Sequence, residues 1–209
     1  MNILLDELPE TIQIGTQEVP VNYGYRAFIL IEICLFDSHR SDEQKVLDAL
    51  NIFYKERIPD DYMEAISGLR WFYQCGKSYD GGGKGRSGSK SKRCYCFEQD
   101  AALIYSAFLT QYHIDLNDTP NLALHWWKFR AMFEALDENL KLSKVMYYRI
   151  VNTNGMGKNE KKYIKEMKAL YALNSGAVET VDSKLKLEKR NQEMKNYVRR
   201  RVLEAAQNS

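Results

Sequence analysis

The side chains best suited to chemistry are three cysteines and two histidines. Cys75, Cys94 and Cys96, with His113 or His125, offer the donor types of a zinc site. Their spacing argues against one. A Cys-x-Cys pair is tighter than the usual ligand gap, and eighteen glycine-rich residues separate Cys75 from Cys94. Inert buried thiols are the simpler reading, and neither metal nor cofactor is expected. Gly76-Lys77-Ser78 ends like a phosphate-binding loop, but Trp71 stands where that motif needs its first glycine. The segment also leaves a helical pattern, whereas a phosphate loop leaves a strand. His39, His113 and His125 have no serine, cysteine or carboxylate in a nucleophilic arrangement. Asp60-Asp61 and Asp115-Asn117-Asp118 are acidic, as helix starts commonly are. No catalytic constellation emerges, so a non-enzymatic protein is expected.

Charge is the second feature with chemical meaning. The 209 residues carry a net charge of only +2, yet residues 76–93 hold six Lys or Arg against one acid. Residues 184–201 hold eight against two, so the remainder is acidic. Candidate partner-binding residues in these runs are Lys84, Arg86, Lys90, Lys92, Arg93, Arg199, Arg200 and Arg201. Basic runs can release counterions from nucleic acid. The first run has only Tyr79 as a stacking platform, however, and the acidic remainder would oppose docking. Nucleic acid is therefore the weaker reading, and solvated faces the stronger.

The elements that must position these residues are mostly helices. At 44% hydrophobic and 12% aromatic, the chain can bury a sizeable core. Leu122 to Leu136 organises it: Trp126, Phe129, Phe133 and Leu136 fall on one helical face, and Trp127, Ala131 and Ala135 form a narrower stripe. Thr119-Pro120 is the expected start, and Lys128 and Arg130 should point outward or stack on rings. Tyr25–Phe36, a capped helix from Ser41 to about Lys55, Asp60–Cys75, Gln99–Tyr112, Leu142–Val151 and Lys158–Leu173 supply further helices. Thr11–Ile14 and Glu18–Asn22 alternate around Gly15-Thr16-Gln17, a hairpin signature. The fold class expected is mainly α: a multi-helix globular bundle with a small N-terminal β-hairpin and a long C-terminal helix. Residues 1–175 form the domain, with a flexible basic loop at 76–93, and 176–209 form the polar C-terminal helix. The N-terminus lacks the basic start of a signal peptide. The longest apolar run, Ala27–Phe36, is broken by Glu32, so no membrane span is expected.

Several blocks together resemble the phage gene product fifteen family of tailed phages of Gram-positive bacteria, over about Leu4 to Leu173. The strongest is His125-Trp126-Trp127-Lys128-Phe129-Arg130-Ala131-Met132-Phe133. Trp71-Phe72-Tyr73-Gln74-Cys75-Gly76-Lys77 precedes the basic loop, and Phe108 to Leu116 comes after it. Lys144-Val145-Met146-Tyr147-Tyr148-Arg149 and Lys168 to Leu173 complete the set. The family-motif core is thus Trp71, Trp126, Trp127, Lys128, Phe129, Arg130 and Phe133. His113 and Tyr147 stand where the family pattern has glycine. The resemblance implies a tail assembly chaperone in the host cytoplasm. Its partners would be the phage tape-measure protein and the tail-tube protein, with self-association into a homo-oligomer left open. The alternatives are a structural tail or neck component and a nucleic-acid-binding module.

Overall fold

The computed structural model describes residues 2–77, 93–118 and 123–174. The expected loop at 78–92 and the expected C-terminal helix lie outside them. Two compact units are distinguished, residues 1–173 and 174–209, and every described strand and helix belongs to the first.

The hairpin forms, but its second strand runs Gln17–Pro20 and not Glu18–Asn22, because Gln17 already pairs with Ile14 and Val21 bridges Tyr54 instead. β1 (Thr11–Ile14) pairs antiparallel with β2 (Gln17–Pro20), Ile12 opposite Val19, around a tight turn at Gly15-Thr16. Ile12 is buried, and its Cδ1 lies 2.4 Å from where a Cβ on Gly68 would stand. A mid-helix glycine costs about 1 kcal/mol relative to alanine. Here it is what lets the hairpin lie on its helix.

Seven α-helices come after the hairpin among the described residues. They are α1 (Tyr25–Leu35), α2 (Asp42–Phe53), α3 (Tyr62–Tyr73), α4 (Ala101–Tyr112), α5 (Trp126–Glu134), α6 (Lys141–Ile150) and α7 (Lys158–Leu170). The architecture is thus mainly α with one small hairpin. Ser41 and Gln44 close a reciprocal capping box on α2, as their spacing predicts. Between β2 and α1 the chain stays extended and stitches distant elements together. Val21 bridges Tyr54, Asn22 N–H donates to Phe53 O, and Gly24 bridges His125.

That stitching corrects the expected span of the central helix. Residues 123–125 are extended, because Leu124 O accepts from Tyr25 N–H and Trp126 N–H donates to Tyr23 O. Those groups cannot also serve helical bonds, so α5 begins at Trp126, not near Thr119-Pro120, which lie outside the described residues. His125 caps it instead. Ala131 and Ala135 are exposed, so the narrower stripe buries only Trp127. The main stripe holds: Trp126 and Phe129 are fully buried, Phe133 nearly so, and Leu136 is half-buried.

Two ring stacks meet at α5. Phe28 on α1 stacks on Phe72 and on Trp126, with centroids 5.4 and 4.9 Å apart. Phe129 stacks on Tyr25 and Phe108, at 5.1 and 4.9 Å. Such pairs add about 0.5–1.5 kcal/mol each beyond the area they bury.

Candidate functional site

The tryptophan pair of α5 acts first as a clamp on α3. Trp126 Nε1–H donates to Tyr73 O at 3.1 Å, and Trp127 Nε1–H donates to Phe72 O at 2.8 Å. Those carbonyls belong to the last turn of α3, and the amides four residues on, at Gly76 and Lys77, bond to Trp71 O and Gln74 O instead. The chain then leaves α3 through Cys75 and Gly76, both with positive φ, in a C-terminal cap where Gly76 N–H bonds to Trp71 O and Cys75 N–H to Phe72 O. A Cβ on Gly76 would stand 2.7 Å from Trp127 Cη2. This contact accounts for the glycine that the sequence makes look like part of a phosphate loop. Trp71 packs edge-on against Trp127, with centroids 5.5 Å apart.

His125 completes the clamp. Its Nδ1 accepts from Trp127 N–H at 3.0 Å while Nε2 faces Pro9 O at 3.0 Å. The two contacts require a neutral ring with its proton on Nε2. Burial lowers its pKa below the ordinary histidine value of 6.5, an effect reinforced by Lys128 and opposed by the Pro9 carbonyl and Glu10.

Two buried polar networks lie beside this core. Glu32, the lone charge in the Ala27–Phe36 run, is 2% exposed and accepts from Tyr73 Oη–H at 2.5 Å and Tyr95 Oη–H at 3.2 Å. Burial first, and the adjacent Glu32 second, push both phenols well above the usual tyrosine range, so both remain donors. Arg130 Nη1–H donates to Tyr95 Oη at 3.4 Å, and its Nη2–H to Glu134 at 2.6 Å. Its guanidinium lies 5.6 Å from the Trp126 ring. Arg130 Nε is buried without a hydrogen-bond partner among the described residues. The Arg130 side chain lines an open cleft of about 390 Å³ together with Phe133, Glu138 and Met146.

The second network is an ion pair. Arg149 on α6 grips Asp100 through two bonds of 2.6 and 2.9 Å, and the two side chains are 5% and 3% exposed. The same guanidinium donates to Cys94 O at 2.9 Å and Tyr171 O at 2.6 Å. Asp100 also accepts from Cys96 N–H at 2.9 Å. Lys168 Nζ donates to Val151 O at 2.6 Å, and Gln99 Nε2 to Ala172 O at 2.9 Å. The α6–α7 hairpin is thereby latched to the start of α4.

The four cysteines are free, and burial raises the thiols of Cys34, Cys75 and Cys94, which suppresses the thiolate form. Among the described residues no group of three or more His, Cys, Asp or Glu is arranged to hold a metal ion. Of the predicted partner-binding residues, only Arg93 is described: its guanidinium covers the Phe36 ring at 3.8 Å. Lys84, Arg86, Lys90, Lys92, Arg199, Arg200 and Arg201 lie outside the described residues. Lys128 is exposed on α5.

Sequence reasoning missed Glu32 and the Arg149–Asp100 pair as core polar groups. The interruption of an apolar run by Glu32 was the available signal for the first. For the second there was none, since its partners are separated by 49 positions.

Exposed apolar and aromatic side chains also lie on α6 and α7. Tyr147, Ile150, Tyr163 and Leu170 are 51%, 48%, 49% and 66% exposed, and Ile164 is the buried residue of α7. No helix among the described residues is long and apolar enough to cross a membrane.

Residues 4–173 match the family model described as Bacteriophage Gp15 protein. No curated protein and no solved structure matches the chain.

Proposed function

The chain belongs to the Bacteriophage Gp15 protein family, and from that premise we propose that it is a tail assembly chaperone binding the phage tape-measure protein during tail morphogenesis. Membership makes it a bacteriophage protein and supports a structural or head–tail role. The family match over residues 4–173 is the observation that carries the proposal. The arrangement of polar groups is compatible with it. Glu32, His125, Asp100 and Arg149 are each consumed in holding helices together, so their chemistry is spent on the fold. Exposed helix faces with tyrosine and leucine are means of engaging another helix. The protein would work without catalysis, in the host cytoplasm, by keeping a long helical chain from aggregating until the tail-tube protein closes around it.

Quantitative mass spectrometry of purified virions separates this reading from a structural one. A chaperone is abundant in the infected lysate and absent from finished particles. Retention in particles at a fixed copy number would instead make it a tail or neck component.

A further inference from the structure

The α6–α7 hairpin and the start of α3 are opposite in charge, and each exposes apolar side chains. Residues 141–173 carry eight basic residues against two acidic ones. The described residues before Lys141 carry ten basic against twenty acidic. The hairpin is thus a basic element on an acidic body. On α7, Tyr163 and Leu170 are seven apart and share one edge, and Lys158, Lys162 and Lys165 share the adjoining outward face. Tyr148 extends the edge toward α6: its ring meets Tyr147 at 5.8 Å and Tyr163 at 6.1 Å, and its hydroxyl lies 3.2 Å from that of Tyr163. The Arg149 latch fixes this surface in place.

At the start of α3, Asp60, Asp61, Tyr62, Met63 and Glu64 are all exposed, Met63 by 72%. One Asp61 oxygen caps the helix through Glu64 N–H at 2.9 Å, and Arg57 approaches Asp60 at 3.6 Å on the open surface. Residues 42–64 hold seven acids against three bases.

We propose that the basic, tyrosine-bearing face of α6–α7 docks on the acidic, Tyr62–Met63-bearing start of α3 in a second copy of this chain. Both surfaces belong to one molecule, so copies pair either reciprocally about a two-fold axis or head-to-tail in a ring or open chain. A second copy fits better than nucleic acid. Ile150 and Leu170 cannot stack on bases, and Glu160 and Glu166 on α7 would repel phosphates. Such self-assembly stands whether or not the chain is a chaperone, because it concerns only copies of this protein.

The test is light-scattering mass of the full chain at about 50 mM and about 0.5 M salt, where screening of surface charge differs severalfold. The expected mass at low salt is about twofold or more that of the 24.4 kDa monomer, returning to the monomer at high salt. Lys162→Glu/Lys165→Glu alone should be monomeric. So should Asp60→Lys/Glu64→Lys, which keeps the Asp61 cap. Mixing the two should restore assembly, since each reversed face then meets its complement. Unchanged circular dichroism establishes that the variants are folded. A monomer at low salt, assembly surviving either reversal, or failure of the mixture to reassemble would each overturn the proposal. Monomeric wild type that retains single-stranded DNA, with retention lost in the Lys162/Lys165 variant, would overturn it and assign the face to nucleic acid.

Discussion

Replacing Arg149 by methionine removes four hydrogen bonds while keeping much of the side chain's apolar stem. Asp100 is then left 3% exposed with the Cys96 amide as the one donor to its side chain among the described residues, and the Cys94 and Tyr171 carbonyls lose a donor. Breaking a buried pair from one side costs about 3–5 kcal/mol, because the remaining charge stays desolvated and unpaired. Against a typical domain stability of about 5–15 kcal/mol, that is a large fraction. At about 2–4 °C per kcal/mol for a domain of this size, Tm should fall by about 10 °C. Urea melts give the free energy directly, and an unchanged m-value establishes that the same surface unfolds. Adding Asp100→Asn should recover about 1–2 kcal/mol, since it removes the stranded charge but not the orphaned carbonyls. Arg149→Lys should not rescue, because an ammonium cannot grip both carboxylate oxygens and two carbonyls in one plane. A loss below about 1 kcal/mol for Arg149→Met would refute the reasoning, since surface ion pairs behave that way.

The same structure sets three further outcomes. The unfolded chain can protonate His125 below its ordinary value of 6.5, but burial depresses the folded pKa, so stability should fall as pH drops through about 6.5; His125→Asn, which keeps a capping acceptor, should flatten that slope in urea melts at pH about 7.5 and about 5.5. Gly76→Ala should lower stability by about 2–3 kcal/mol in a thermal melt, combining a left-handed backbone at φ 73 with a Cβ driven into Trp127. His113 sits at φ 55 and ψ 29 past the end of α4, so His113→Gly should raise stability by about 0.5–1 kcal/mol, and an unchanged or lower melting point would contradict this.

What was legible in the sequence was local. The Ser41–Gln44 capping box and the spacing of Trp126, Phe129 and Phe133 form as read, and the hairpin forms with a turn one residue shorter than read, all dependent on neighbours within a few residues. What was illegible was paired at a distance. Helix α5 starts late because residues 23–25 claim the backbone of residues 124–126. Asp100, beside the start of α4, spends its carboxylate on Arg149 and makes no side-chain cap. Gly68, inside α3, and Gly76, just past its end, are explained only by the hairpin and Trp127, which occupy the space their missing side chains leave. The stretches around Trp71 and Trp126 are separate in sequence yet form one clamp, with the indole N–H groups of one closing the carbonyls of the other. His113 is the reverse case. It carries a Cβ, and the backbone nevertheless adopts the left-handed conformation that glycine favours.

The central claim is that this protein holds the tape-measure chain before the tail closes. Co-expression with the tape-measure protein of the same phage, with the soluble fraction and co-elution as readouts, tests it most directly. The expected result is a tape-measure protein that becomes soluble and co-purifies with this chain, and stays insoluble without it. Insoluble tape-measure protein, with this chain alone in the supernatant, would contradict the chaperone reading.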